Sequence, residues 1–550
     1  MRIPIPKIPG VATVLDALPL PGRHNEPPAV TRRYDALVIG SGFGGGAAAC
    51  RLAEADWDVG LLERGRRFGR TDFPERLDQA PHLLWHAKAN PGGLYDMRLF
   101  EDGTVLCGAG VGGGSLLYAN VQLRAKPEVF QANWPSGIDL EALEPYYLRT
   151  EEALDPQLVP DPKLNKVRAF AAAGRKAGRP AERTPLAVHF GPERRHPLSG
   201  APQEGCTNLG RCVIGCPTHS KNSVDITYVA RAESLGADVY PLHEVREIEP
   251  PARKGGRWRV TYRDLQYRVT GRMEASTLIV SAGTLGSTRL LLQNGKRLPH
   301  LSDALGSRFS ANGNALGAIF DPQARGTRGA AVDDGPSITS VMDHWDDRAF
   351  LMEDLGLPPA YMSLLEALRG ATAITGWRRA LLRAKQEVTR VGLSDRSATP
   401  ATVSVRERGS TLEDALTFLF IGRDTSLGRM HLSRLGNLDI DLDPDDDRPL
   451  YDRMDQTLEE IADAVDGRAV FSLENGPFGR FLIAHPLGGC PMADSRDDGV
   501  VDEFGRVHGY EDGLRVLDGS IIPTSLGANP SKTIAALAER GVEHLIKERS

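Results

Sequence analysis

Three glycines and one carboxylate have the clearest chemical spacing in the chain. Gly40, Gly42 and Gly45 fall on a G-x-G-x-x-G pattern, and Glu63 stands 23 residues after Gly40. Gly40 permits a tight turn, Gly42 lets the backbone approach a pyrophosphate, and Gly45 lets a helix pack closely on a strand. A carboxylate at Glu63 is placed to bind both hydroxyls of an adenosine ribose. It would repel a 2'-phosphate, so the pattern favours FAD or NAD over NADP.

The elements that must hold these residues are readable on either side of them. Residues 34–39 form an apolar run with β-branched members, the signature of a buried strand, and small residues from 44 to 49 open a helix that runs to about Glu54. Residues 59–62 read as a second strand that ends at Glu63. The helix N-terminus between the strands offers unpaired N–H groups and a positive dipole end to phosphates. A second glycine-rich stretch spans 107–120, with five glycines within 108–114. Such a run resists a helix start and implies backbone pressed against something flat or phosphorylated. Val105, Leu106, Leu116 and Leu117 flank it and predict that it is buried.

Bulk properties narrow the class. The chain has 550 residues, long enough for two or more cores. Its net charge of -6 at 25% charged residues gives no field that would favour nucleic acid. No apolar run approaches the roughly 18 residues that a membrane span needs. Six cysteines at irregular positions do not suggest a disulfide scaffold. Residues 1–30 are different in character: seven prolines fall within the first 28 residues, and the apolar run 11–15 is too short for a signal-peptide core. An extended arm is expected there, on a soluble, cytoplasmic protein.

Farther along, residues 163–178 read as an amphipathic helix, 140–147 as helical, and 229–240 as a helix, a glycine stop and a strand. Residues 258–262 and 267–270 alternate as a hairpin, while 278–288 read as a separate buried strand feeding a small-residue turn and helix. Strand-like alternation recurs at 411–421, 429–433 and 438–442, with Leu435-Gly436-Asn437 as the turn of a second hairpin. The acidic run 443–447 lacks the spacing of a calcium loop and is read as a solvated turn. Cys206, Cys212 and Cys216, with His219 nearby, loosely echo an iron–sulfur run, but the regular C-x2-C spacing is absent. Structural thiols walling a cofactor are preferred to a cluster, and no metal is expected. Residues 377–390 carry five positive charges and one negative. A solvated helix face is the plainer reading of 361–390; the sharper one is a lid in peripheral contact with an anionic membrane.

Taken together, the opening motif, the run Gly110-Val111-Gly112-Gly113-Gly114-Ser115-Leu116, and the C-terminal stretches Ala484-His485-Pro486-Leu487-Gly488-Gly489-Cys490, Asp518-Gly519-Ser520 and Leu526-Gly527-Ala528-Asn529-Pro530 resemble the glucose–methanol–choline (GMC) oxidoreductases, and within them the cholesterol-oxidase-like branch. The resemblance is strongest over 34–125 and 480–548 and fair over 206–300. It implies an α/β fold (α+β overall), with a discontinuous Rossmann-like FAD domain at 31–125, 201–300 and 480–550. A substrate domain of antiparallel sheet and helices is then expected at 126–200 and 301–479. FAD is implied rather than NAD, and non-covalent FAD, since no His stands in the 107–120 loop where some relatives attach the flavin. Carried over, the cofactor contacts are Gly40, Gly42, Phe43, Gly45, Glu63, Gly110, Gly112, Gly113, Gly114, Ser115, Asn120, Val245, Asp518, Gly519, Asn529 and Pro530. One departure stands out: Tyr118-Ala119-Asn120 occupies the place where several relatives have Asn-Gly-Gly.

The resemblance also brings His485 and Asn529 to the flavin's reactive face. Alcohol oxidation requires loss of the O–H proton as hydride leaves carbon, and a neutral imidazole suits that proton transfer. His485 is therefore expected as the general base, with Asn529 holding the substrate oxygen through an amide that both donates and accepts. Glu353, in an apolar setting with Phe350, Leu351, Met352 and Leu355, is a third candidate, because burial raises a carboxyl pKa towards a useful range. A bulky apolar alcohol, hydroxysteroid first and long-chain alcohol second, is the expected substrate, and O2 or another acceptor takes the electrons. The alternatives are a dehydrogenase with a non-oxygen acceptor, a flavin-dependent fatty-acid decarboxylase, and an inert lipid-binding flavoprotein.

Overall fold

A computed structural model describes residues 30–73, 83–100, 103–161, 164–330, 334–356, 358, 415–443, 445–471 and 481–549. The proline-rich arm at 1–29 and the basic segment 361–390 therefore lie outside the described residues. Among those described, no helix is long and apolar enough to cross a membrane.

The Val30–Ile39 strand is central to a seven-stranded sheet. It pairs in parallel with Val59–Leu62 on one side and with Thr270–Val280 on the other. The sheet extends through Asp238–Tyr240 beyond the first neighbour. Beyond the second it continues antiparallel through Trp258–Asp264 and His243–Glu249. Leu514–Val516, from the far end of the chain, pairs in parallel with Thr270–Val280. The apolar strand residues Ala36, Leu37, Val38, Leu278, Ile279 and Val280 are fully buried, as strands covered on both faces must be.

Helices close this sheet. Phe43–Glu54 follows the central strand, and Ser531–Arg549 lies against it. Gly44 sets how close the first helix comes, because a Cβ there would stand 1.8 Å from the Leu517 carbonyl oxygen. Glu539, on the last helix, is fully buried and accepts two guanidinium N–H bonds from Arg51 at 2.8 and 3.0 Å and one O–H bond from Tyr228 at 2.9 Å. Charge-assisted, bidentate pairing of this kind fixes an angle as well as a contact. It joins the end of the chain to the helix that opens it.

A second, six-stranded sheet runs in the order Arg468–Phe471, Ala315–Phe320, Leu416–Gly422, Phe350–Asp354, Ser340–His344 and Ala181–Arg183. All of its pairings are antiparallel. The helices Asn165–Lys176 and Arg448–Ala464 cover it, and their apolar faces share one core with Phe350, Phe418 and Phe420.

Several sequence expectations are met here, and one needs correction. The hairpin Arg429–Leu432 with Leu438–Asp441 forms as expected. The stretches 267–270 and 278–288 are not separate strands, however: Thr270–Val280 is a single strand of 11 residues. Its first half alternates between half-buried and buried, and its last four residues are all buried. The change from an amphipathic to a wholly apolar pattern, within one strand passing from the sheet edge into the centre, looks in the sequence like two elements.

Candidate active site

Between the two sheets lies a cavity of about 460 Å3. The Gly40 turn, Glu63, Gly113, Gly114, Asn120, Val245, Asp518, Gly519, Asn529, Pro530 and His485 all border it. So do Phe43 and Gly42. Gly45, Gly110, Gly112, Ser115 and Glu353, which the sequence also assigned to the site, stand one layer behind the wall.

The glycines divide into two groups by what a side chain would meet. A Cβ on Gly40 would stand 2.2 Å from the Ser281 carbonyl oxygen, and its φ is +97°, so the sheet itself demands glycine. A Cβ on Gly45 would be 2.0 Å from the Gly40 carbonyl oxygen, which is the close helix–strand packing expected of it. Gly42 and Gly114 differ: a Cβ on either would meet no protein atom within 4 Å, and both border the cavity. Nothing in the protein requires glycine at these two positions. A group filling the cavity does, and backbone open to phosphate at a helix N-terminus fits a dinucleotide diphosphate.

The loop behind them is tied together internally. Gly112 donates its N–H to Ser41 Oγ at 3.0 Å, and Ser115 Oγ donates to the Gly112 carbonyl at 2.7 Å while accepting from the Val224 N–H at 2.8 Å. These residues shape the loop and leave its surface free. Lys221 holds the loop's exit through bonds to the carbonyls of Leu116 and Tyr118 at 3.0 and 2.9 Å, and it also bonds the Cys212 carbonyl at 2.7 Å. That ties the three-cysteine segment to the cavity wall. The Cys216 thiol lies 3.3 and 3.2 Å from the hydroxyls of Thr218 and Ser220, and Cys206 Sγ is 3.7 Å from Asn208 Oδ1.

At one end of the cavity Glu63 is held by the Ser41 N–H and Oγ (3.2 and 2.7 Å) and by the Gly65 N–H at 2.8 Å. Burial raises its pKa, and those donors oppose the shift. The residue also borders the cavity, where ribose binding would need it. Arg289 borders the same space. Its Nε is buried without a hydrogen-bond partner among the described residues, and burial with the charge of Arg98 lowers its pKa to about 10. Arg64 and Arg98 pair with Asp96, and Arg246 pairs with Glu244. A buried guanidinium left over beside other cations is costly until an anion reaches it. Sequence reasoning missed Arg289, because an arginine inside a helix reads as a solvated face.

The other candidate groups are Asn120, Asn529 and His485 on the cavity wall, with Glu353 behind it. Asn120 is fully buried, and neither its Oδ1 nor its Nδ2 has a partner among the described residues. Asn529 donates from Nδ2 to Glu353 Oε2 at 3.2 Å, and among the described residues its own Oδ1 is unpartnered, as is Glu353 Oε1. Buried polar atoms are normally satisfied, so this concentration of orphans marks where a bound group must supply partners. Glu353 is fully buried. It lies directly opposite Leu419, a cavity-lining residue, in the strand register, which puts both side chains on the same face. Burial pushes the Glu353 carboxyl up to about 8, against the pull of the Asn529 N–H.

His485 borders the cavity and is half-buried. Burial lowers its pKa to about 4, so the ring is neutral at ordinary pH. Its Nδ1 lies 3.0 Å from Asn314 Nδ2. The orientation of that amide is set by two backbone donors, since Asn314 Oδ1 accepts from the N–H groups of Ala484 and His485 at 3.1 and 3.0 Å. Nδ2 must then be the donor towards Nδ1, which leaves the ring proton on Nε2. A general base acting through Nε2 needs the opposite tautomer. The resting ring therefore offers a donor where the sequence led us to expect an acceptor. Asn314 was legible only as one of two Asn flanking Gly313, a pattern that reads as an ordinary turn.

Because Gly42 faces only the cavity, Gly42→Ala leaves the thermal stability of the cofactor-free protein unchanged. It weakens FAD binding by about 5–100-fold, the cost of overpacking by one methyl. Titration of apoprotein with FAD, followed by flavin fluorescence, reads this directly.

Comparison with known proteins agrees with this geometry. Residues 34–311 and 424–538 match the N- and C-terminal domains of the family described as GMC oxidoreductase. A cholesterol oxidase of Mycobacterium tuberculosis is 32% identical over 547 residues, spanning 92% of this chain and 90% of that one. A cholesterol oxidase of Acinetobacter baumannii is 30% identical, spanning 93% and 94%. A long-chain-alcohol oxidase of Arabidopsis thaliana is 25% identical over 92% of this chain and 66% of its own. Among solved structures, pyridoxine 4-oxidase from Mesorbium loti shares the fold, with a TM-score of 0.60 at 16% identity over 93% of this chain and 98% of that one. The chain belongs to the GMC oxidoreductase family, as an FAD-dependent enzyme acting on CH–OH donors.

Proposed function

We propose that the protein oxidises a bulky apolar alcohol, a 3-hydroxysteroid of the cholesterol type, to the ketone, with O2 as the final electron acceptor. The observation that carries this reading is that His485 and Asn529 border one cavity whose wall includes Val121, Ile338 and Leu419, with Glu353 bonded to Asn529 from behind that wall. The cholesterol oxidases among the relatives support the choice of substrate class.

Bound FAD supplies the hydride acceptor. The Gly40–Gly45 turn and Glu63 would hold its diphosphate and ribose, and the Asn120 amide and Asn529 Oδ1 would offer it unpartnered polar atoms. For the alcohol, His485 donates Nε2–H to the oxygen and fixes its position. Glu353, bonded to Asn529 behind the cavity wall, takes the O–H proton through its Oε1, which has no partner among the described residues. Asn529 connects the two roles, since its N–H bonds the carboxylate while its Oδ1 stays open to the cavity. This gives the proton to Glu353 rather than to His485, a choice that the Asn314 bond supports by leaving the ring proton on Nε2.

Steady-state turnover with cholesterol, a 3-hydroxysteroid without a side chain, and a long-chain alkanol tests the reading. Ketone and hydrogen peroxide are expected in equal amounts, with the sterols turned over more efficiently than the alkanol. No peroxide from any of the three would rule out the oxidase reading.

A further inference from the structure

We propose that the turn Asn312-Gly313-Asn314 is the positioning device for the oxidation. Asn314 sets the tautomer of His485, and Asn312 holds the loop that carries Asn529. The inference rests on the alcohol-oxidation reading for its meaning and on hydrogen bonds for its form.

The segment that bears His485 meets the one leading to Asn529 through Gly488 N–H to the Gly519 carbonyl and Cys490 N–H to the Ser520 carbonyl, at 3.1 and 2.9 Å, several residues from either side chain. Both are bonded to this one turn. On the His485 side, Asn314 accepts from two successive backbone N–H groups, Ala484 and His485, and donates to the ring. On the Asn529 side, Asn312 Oδ1 accepts from the N–H groups of Leu526 and Gly527, each at 2.9 Å, and from Ser525 Oγ at 3.1 Å. Asn312 Nδ2 donates to the Ala528 carbonyl at 2.8 Å. A single amide thus ties down the four residues before Asn529. Both asparagines are buried, Asn312 fully, and both use their amide as donor and acceptor, which no carboxylate or aliphatic group of the same size can do.

The turn is itself anchored from behind. Asp424, buried, accepts from Ser310 Oγ at 2.7 and 2.9 Å, from the Gly313 N–H at 3.0 Å and from the Ser426 N–H and Oγ, both at 3.1 Å. Gly313 has φ +55°, and a Cβ there would stand 2.5 Å from the Gly422 carbonyl oxygen, so the turn has glycine at its centre for steric reasons. Ala315–Phe320 then enters the six-stranded sheet directly. The clamp is therefore built on the sheet that also carries Glu353 and Leu419, and the reactive groups from three chain regions share one support. Preorganisation of this kind holds a site to within a fraction of an ångström.

The decisive variant is Asn314→Asp. The carboxylate keeps an acceptor for the two backbone N–H groups but presents an oxygen to Nδ1, so the ring proton moves to Nδ1 and Nε2 loses its hydrogen. Holoenzyme labelled with 15N-histidine, with the His485 signal assigned by its loss in His485→Gln, is expected to show Nε2–H in the wild type and Nδ1–H in Asn314→Asp. FAD content should not change, while anaerobic flavin reduction by cholesterol should slow by about 10²–10⁴-fold, the range for an inverted catalytic imidazole tautomer. A wild-type ring protonated on Nδ1, or a variant that reduces flavin within threefold of wild type, would overturn the proposal. The NMR result needs no substrate, so it stands if the substrate reading fails. Asn312→Asp should replace the bond to the Ala528 carbonyl with repulsion and slow flavin reduction at least tenfold with FAD retained. Unchanged reduction in that folded variant would remove Asn312 from the clamp.

Discussion

Replacing Glu353 with Gln is expected to slow flavin reduction by the sterol by about 10²–10⁴-fold while leaving FAD bound, because the variant keeps the shape and the Asn529 contact but has no group to accept the alcohol proton. In the wild type the acceptor must be ionised. Burial places its pKa at about 8, so the rate rises with pH through that value, and the variant shows no such rise. Stopped-flow reduction between pH 6 and pH 9 reads both effects. A variant within a fewfold of wild type would assign the proton elsewhere. Stability gives an independent sign. A carboxyl whose folded-state pKa is raised loses stability as pH climbs from the ordinary carboxylate range, about 4.3, towards 8. The melting temperature of Glu353→Gln should therefore gain on wild type between pH 5 and pH 9.

His485→Ala should also retain FAD and lose about 10²–10⁴-fold in flavin reduction, since it removes the group that holds the substrate oxygen. The comparison with His485→Gln separates donor from base. A glutamine amide can donate an N–H but is not a base at neutral pH, so the donor role predicts that Gln recovers part of what Ala loses. Equal loss in both would return the proton to the imidazole. Because burial lowers the imidazole pKa to about 4, no titration near 6.5 is expected in the wild-type rate profile.

Much of the cofactor site was legible because its determinants are local. A buried strand, a glycine turn and a helix N-terminus occupy consecutive residues, and Glu63 follows from the next strand of the same unit. Glu353 was legible as a carboxyl in an apolar run, although its contact with Asn529 joins residues 176 apart. The tautomer of His485 was not legible. It depends on Asn314, 171 residues away, in a turn that advertises only backbone conformation. Arg289 escaped for a related reason, since its isolation among paired arginines exists only after four chain segments are brought together. Gly110, Gly112 and Ser115 are not among the residues that border the cavity, and a glycine-rich run does not reveal which of its members face inward.

The most direct test of the central claim is anaerobic mixing of the purified holoenzyme with cholesterol, followed by admission of oxygen. The account predicts that the oxidised flavin absorbance bleaches, that one equivalent of steroid ketone forms per flavin, and that oxygen restores the absorbance. Flavin that stays oxidised against cholesterol and other 3-hydroxysteroids, but bleaches with a small polar alcohol, would contradict it.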